Sequence, residues 1–299
     1  MARAACRRDQ AVIRAAYLLL MLTLAAPLRA SDAPYVPTPM SVVDAMLEMA
    51  NVGPQDYLID LGSGDGRIPL RAATRFGARG FGVEIEPHLV RDANAAARKQ
   101  GVADRVRFEA RDLFDTDVSG ATVLTTYLFQ SLNLRLRPYL LAKLKPGTRV
   151  VTHEFHFGSW QPDRRITVHA PDKPYGDPNS EVMLWIVPAD FSGVWRASLP
   201  GEPERELRLM QRFQILNGTL GTQQLAEGRV NGSTLRLSPA GDARIFTGML
   251  DGDTIRGEVR RAGAAPQAWH AQRIQRGRMD IDAGSELPFK SGVPAGESR

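Results

Sequence analysis

The sequence predicts an α/β domain, a seven-stranded and mostly parallel sheet with helices on both faces, followed by a small all-β domain, either an antiparallel barrel or a sandwich. Two observations carry this reading. Between Tyr57 and Phe155, strand-like apolar runs alternate with helix-period segments, as βαβ units require. Beyond Phe191 the texture changes to strand-length runs separated by Asn217-Gly218, Asn231-Gly232 and Asp251-Gly252, which are hairpin signals.

The elements follow in order. Residues 1–30 have a basic start (Arg3, Arg7, Arg8, Arg14), an apolar run from Ala15 to Ala26, and Ala30 as an acceptable residue before cleavage. The run is short for a membrane span and fits the core of a signal peptide, so the mature chain is expected to be exported, to a periplasm; a true start at Met21 or Met40 would keep it cytoplasmic. Thr38 is placed to cap a helix with Pro39 at its first position, and Val42, Val43, Met46, Leu47 and Ala50 form its apolar stripe. Strands are expected at Tyr57–Leu61, Gly80–Ile85, Val106–Ala110, Ala121–Leu128 and Arg149–Phe155, with helices at Ile68–Phe76, Pro87–Gln100 and Leu132–Leu144. Two more strands, Ile166–Ala170 and Val182–Val187, have no helix between them and should pair antiparallel. The expected division is 1–30, 31–190, 191–275, and a disordered polar tail over 276–299. In the third segment, Leu207, Leu209, Gln211, Phe213 and Ile215 alternate with mostly polar neighbours, as in a half-buried strand. Gly193-Val194-Trp195 faintly resembles the start of a lipocalin-type barrel, without the other lipocalin motifs; Trp195 and Trp269 are expected to pack its core.

The formal charge of +5 does not point to nucleic acid. Residues 1–30 hold five arginines and one aspartate, net +4, so the remainder carries only +1. The one cysteine, Cys6, lies in the same segment, which excludes disulfides and thiolate metal sites elsewhere. No metal site is expected.

The chemistry gathers after the first strand, in Asp60-Leu61-Gly62-Ser63-Gly64-Asp65-Gly66-Arg67. Gly62, Gly64 and Gly66 let the backbone turn sharply beside a ligand at the carboxyl edge of the sheet. The spacing is not the G-x-G-x-x-G of dinucleotide folds, and Asp60 would repel a pyrophosphate while attracting an ammonium group. The helix start near Asp65-Gly66 suits a carboxylate. Glu84, ending the second strand, is placed to accept two ribose hydroxyls, and Asp112 and Leu113, after the third, to meet an adenine amino group and cover its ring.

With these residues the segment from Tyr35 to Pro188 resembles the class I, Rossmann-like seven-strand S-adenosylmethionine (SAM)-dependent methyltransferases. Tyr35-Val36-Pro37-Thr38-Pro39, Asp60–Ile68, Gly82-Val83-Glu84 and Asp112-Leu113-Phe114 are similar to the ATP-synthase c-subunit lysine methyltransferase family and its bacterial relatives. That resemblance implies SAM as cofactor and a protein lysine as acceptor. Thr126-Tyr127-Leu128-Phe129-Gln130 stands where enzymes methylating planar amines carry Asn/Asp-Pro-Pro-Tyr/Phe, which lowers the case for DNA-base or glutamine methylation. Tyr127, with Asn133 on the next helix, is a candidate for the acceptor channel. His153 and Glu154 end the fifth strand, where a group could take a proton or orient an amine; strand alternation would put His153 and Phe155 on one face and Glu154 and His156 on the other. Trp160 reads as core. The alternatives are a non-catalytic SAM or nucleoside binder, or transfer to a small molecule or lipid.

Overall fold

The computed structural model describes residues 35–281 apart from Tyr175. The expected signal segment and the tail beyond Ile281 lie outside the described residues.

The first domain has four helices among the described residues: α1 Met40–Met49, α2 Arg67–Phe76, α3 Pro87–Lys99 and α4 Gln130–Lys143. Its strands are β1 Tyr57–Leu61, β2 Arg79–Glu84, β3 Val106–Ala110, β4 Val123–Thr126, β5 Arg149–His153, β6 Arg164–His169 and β7 Asn179–Ile186. They form one sheet in the order β3-β2-β1-β4-β5-β7-β6. β1 to β5 pair parallel, and β7 runs antiparallel to both β5 and β6. The sheet is the expected Rossmann-like seven-strand methyltransferase type, with its terminal hairpin.

The pleat assigns side chains to faces. Leu58, Val123, Val151 and Val182 pack with Val42, Val43, Met46 and Leu47 of α1. Ile59, Leu61, Leu124 and Val150 pack on the other face with Leu136 and Leu140 of α4. Asp60, Thr125, Tyr127 and His153 therefore continue the α1 face beyond its apolar part. Thr38 does not cap α1: the N-cap is Pro39, without a side-chain bond, and the Thr38 hydroxyl turns instead to His153.

The second domain is a closed eight-stranded antiparallel barrel, settling barrel against sandwich. Its strands are β8 Gly193–Ser198, β9 Arg205–Arg212, β10 Ile215–Leu220, β11 Gln223–Asn231, β12 Thr234–Pro239, β13 Ile245–Asp251, β14 Thr254–Arg260 and β15 Gln267–Arg276. Each pairs with the next, and β15 closes on β8. Asn231-Gly232 and Asp251-Gly252 stand at tight turns, as expected. Asn217-Gly218 instead lies inside β10, paired with Met210 and Leu209, and the chain reverses at Phe213-Gln214. Trp195 and Trp269 are buried in the barrel core. The interior is filled: its cavity, among Leu207, Leu237, Phe246 and Trp269, measures ≈ 10 Å³, smaller than a ligand site.

The barrel docks on the amino-terminal edge of the sheet. Arg229 pairs with Asp163 just before β6 at 2.6 Å, and the Gln214 side-chain amide donates to the Gln161 carbonyl at 2.7 Å. Phe213 stacks on Trp160 with centroids 6.0 Å apart. Arg276–Ile281, expected to be disordered, belong to this structure: the Asp280 N–H donates to the Gln211 carbonyl at 2.8 Å, and Ile281 packs against the sheet core. The ligand-facing carboxyl edge is left to the first domain.

Candidate active site

The loop between β1 and α2 is held by backbone bonds. The Gly62 and Ser63 N–H groups both donate to the Val83 carbonyl at 2.9 Å, tying the loop to β2. Gly64 has φ +52 and lies under Tyr35, so a Cβ there would stand 2.4 Å from the Tyr35 ring. Asp65 does not face outward as a free acid. It accepts from the Arg67 N–H at 3.2 Å and grips the Arg67 guanidinium at 2.6 Å, while Arg67 also donates to the Thr38 carbonyl at 2.7 Å. This pair fastens the 35–39 segment over the loop.

Asp60 is buried and accepts from the Thr125 hydroxyl at 2.7 Å, a pairing set by the β1–β4 register. Burial pushes its carboxyl up to about 7, and the charges of Glu84 and Asp65 add to this against the Thr125 hydrogen bond. Glu84 takes the Gly64 N–H on one oxygen at 2.9 Å, and the Ile85 and Glu86 N–H groups on the other at 2.8 and 3.1 Å. It thus bridges the loops after β1 and β2. Asp112 caps the short turn of 3-10 helix that follows β3, accepting from Phe114 N–H at 2.9 Å, and Leu113 is buried beside it.

The next two strand ends hold the acceptor candidates. The Tyr127 ring lies 3.9 Å from the His153 ring and 6.3 Å from Phe155, centroid to centroid; its hydroxyl pKa is raised, by burial first and then by the Glu154 charge. His153 is fully buried. One ring nitrogen is 3.3 Å from the Thr38 hydroxyl and the other 3.0 Å from that of Ser180. Burial, with the charge of Lys173, drives its pKa down to about 3. Its imidazole is therefore held neutral near pH 7. The expected alternation from His153 to His156 fails, because β5 ends at His153 and Glu154 has φ +67. There the Glu154 N–H donates to the Glu181 carbonyl at 2.8 Å, and its carboxylate meets the Lys173 ammonium at 2.5 Å. Asn133 is buried and donates to the Phe155 carbonyl at 3.0 Å, so it fixes the strand exit rather than lining a channel.

Several of these partners leave no trace in the sequence. Thr125 and Ser180 are hydroxyls inside strands, and only register reveals them. Arg67, two residues beyond Asp65 in the motif itself, is the one legible signal.

Two features test the fit to SAM. The Ser63 hydroxyl is buried in the glycine loop without a hydrogen-bond partner, an unmet polar atom where a ligand would meet it. Asp60 and Glu84 also concentrate negative charge around that loop, which suits the ammonium and sulfonium of SAM. The residues present fit the cofactor.

The glycine loop, the acids ending β1 and β2, and the β3-β2-β1-β4-β5-β7-β6 order define a SAM-dependent methyltransferase. The model of the ANTKMT methyltransferase domain matches residues 60–164. A protein-lysine N-methyltransferase of Saccharolobus islandicus is 43% identical over 155 residues, 52% of this chain and 93% of that protein. The lysine N-methyltransferase of Xenopus laevis that is named for the ATP-synthase c-subunit is 31% identical over 149 residues, 50% of this chain and 65% of its own. A solved structure described as an RNA methyltransferase from Salinibacter ruber with S-adenosyl-L-homocysteine is 47% identical, covers 56% of this chain and 98% of its own, and has a TM-score of 0.48. The chain belongs to the ANTKMT methyltransferase family, and SAM is its methyl donor.

The Asp60 carboxyl has a consequence for pH. Its pKa in the folded protein lies above the ordinary carboxylate value, so between about pH 4 and pH 7 the folded state retains a proton that the unfolded chain releases. Stability without ligand should therefore fall as pH rises through that window. A cationic cofactor needs the ionised form. SAM affinity should accordingly be about tenfold weaker at pH 6 than at pH 8, and calorimetric titration at the two values measures this. Equal affinities would remove Asp60 from the cofactor's surroundings.

Proposed function

We propose that the chain transfers the SAM methyl group to the ε-amine of a lysine on a protein. The observation that carries this is Glu154. Its left-handed backbone sets a carboxylate at the end of β5, beside Tyr127, and that carboxylate already holds a lysine amine. The names of the related lysine methyltransferases support the same acceptor.

Gly62, Ser63 and Gly64 would hold the methionine end of SAM, with the Ser63 hydroxyl as donor and Asp60 toward the ammonium. Glu84, with three backbone donors already on it, would accept from the ribose hydroxyls at its remaining site on Oε2, Asp112 would take the adenine amino group, and Leu113 would cover the ring. Asp65 acts through Arg67, holding the loop shut rather than touching the cofactor. Bound SAM supplies an electrophilic methyl on a sulfonium. The protein's own work is to align the amine with it and to keep that amine neutral. Glu154 receives the ammonium of the incoming lysine and takes its proton. Tyr127 walls the approach. Its ring is positioned by His153, which stays neutral between the Thr38 and Ser180 hydroxyls.

The test is transfer to a purified lysine-rich protein, with products mapped by mass spectrometry. Methyl groups should sit on lysine, and prior acetylation of the acceptor should abolish transfer by turning the amine into an amide, whose lone pair is delocalised into the carbonyl. Transfer that survives acetylation would contradict the lysine assignment.

A further inference from the structure

The β6–β7 loop hangs over the same sheet edge as the ends of β4 and β5, because β6 runs parallel to β5 with β7 between them. Its base is closed: the Ala170 N–H donates to the Pro178 carbonyl at 2.7 Å, and the Lys173 N–H to the Ala170 carbonyl at 3.0 Å. Lys173 is thereby aimed back over β7. Its side chain is only 10% exposed, and its Nζ lies 2.5 Å from Glu154 Oε1.

That seat is unusual for a lysine. Long ammonium side chains ordinarily keep the head in water, and ordering one costs rotamer entropy. Glu154, for its part, has a left-handed backbone, which is strained for a residue other than glycine. The groups around the amine are those of the acceptor edge. The Lys173 charge reaches His153, the Glu154 charge reaches Tyr127, and the His153 and Tyr127 rings are in contact. A lysine of the chain thus sits where an acceptor lysine is proposed to sit.

We propose that Lys173 is a methylation site of the chain's own active site: the enzyme methylates itself at Lys173. This rests on the lysine-acceptor reading above. The Lys173 ammonium gives a proton to Glu154, which passes it to solvent. The freed lone pair on Nζ forms the new N–C bond as the S–C bond of SAM breaks, and the bonding pair stays on sulfur, leaving S-adenosylhomocysteine. Each methyl replaces one N–H on Nζ, so full methylation removes the hydrogen bond from Lys173 to Glu154. The methylated nitrogen keeps its charge, so self-methylation would loosen rather than cancel its pairing with Glu154 and open the carboxylate to a lysine from another protein.

The experiment incubates the full chain with SAM, alone and with soluble proteins of the source cell, and reads the peptide containing Lys173 by mass spectrometry. Methylation of Lys173 is expected, saturating at one modified lysine per chain. Its rate per molecule should stay constant over a hundredfold dilution, because donor and acceptor share one chain. K173R keeps on Glu154 a cation that is not methylated, so it should gain no methyl group on its own chain and should label other proteins more slowly than the parent. Unmodified Lys173 beside labelled external proteins overturns this inference and leaves the acceptor reading standing. No label on either, with SAM bound, overturns both. A self-methylation rate that rises with enzyme concentration, or equal labelling of K173R, overturns the intramolecular seat.

Discussion

Gly64→Val is expected to abolish SAM binding, weakening it by more than about a hundredfold, equivalent to about 2.7 kcal/mol or more. Two effects combine. The backbone at Gly64 has φ +52, a conformation that β-branched residues resist, and the new Cβ would fall 2.4 Å from a ring carbon of Tyr35. Relief requires either the loop to change course or the 35–39 segment to lift. The first moves the Gly64 N–H off Glu84, and the second breaks the hold of Arg67 on the Thr38 carbonyl. Either way the cofactor loop loses its shape while the barrel, with its own core, stays folded. Calorimetry on the folded variant checks this. Binding within a fewfold of the parent would mean that the cofactor lies elsewhere.

Glu154→Gln should lower kcat for an external lysine about a hundredfold, as expected for loss of a proton acceptor. SAM affinity should change by less than about threefold, because Glu154 stands at the end of β5, beyond the strands that carry the cofactor loop. The amide keeps the shape of the side chain and cannot hold an ammonium as a carboxylate does. Turnover and calorimetric titration on the same sample separate the two effects. An equal loss in SAM affinity would make Glu154 part of the cofactor site, and undiminished turnover would leave the amine without its proposed base.

The parallel part of the sheet was legible because its strands are short and largely apolar, and because the cofactor loop is contiguous. Its acids could be placed by counting strands. The acceptor edge resisted for a physical reason. The His153 ring is held by hydroxyls 115 and 27 residues away, and Asp60 by one 65 residues away. Such distant partners leave no local pattern. Glu154 escaped the alternation rule because the ladder stops one residue earlier. In the barrel, Asn217-Gly218 carries a turn signature but is spent within β10. A Cβ at Gly218 would lie 1.8 Å from the Arg208 carbonyl oxygen, so close strand approach, not a turn, requires glycine there. The actual turn contains Phe213, an apolar residue at φ +49, because its ring is needed against Trp160 where the domains meet.

Transfer of the SAM methyl group to a protein lysine is tested most directly with radiolabelled SAM. The purified chain is incubated with extract of the source cell, which is then separated into protein, nucleic-acid, lipid and small-molecule fractions. Label in protein, mapped to lysine and lost with Glu154→Gln, is the predicted result. Label confined to nucleic acid, lipid or small molecules would contradict it.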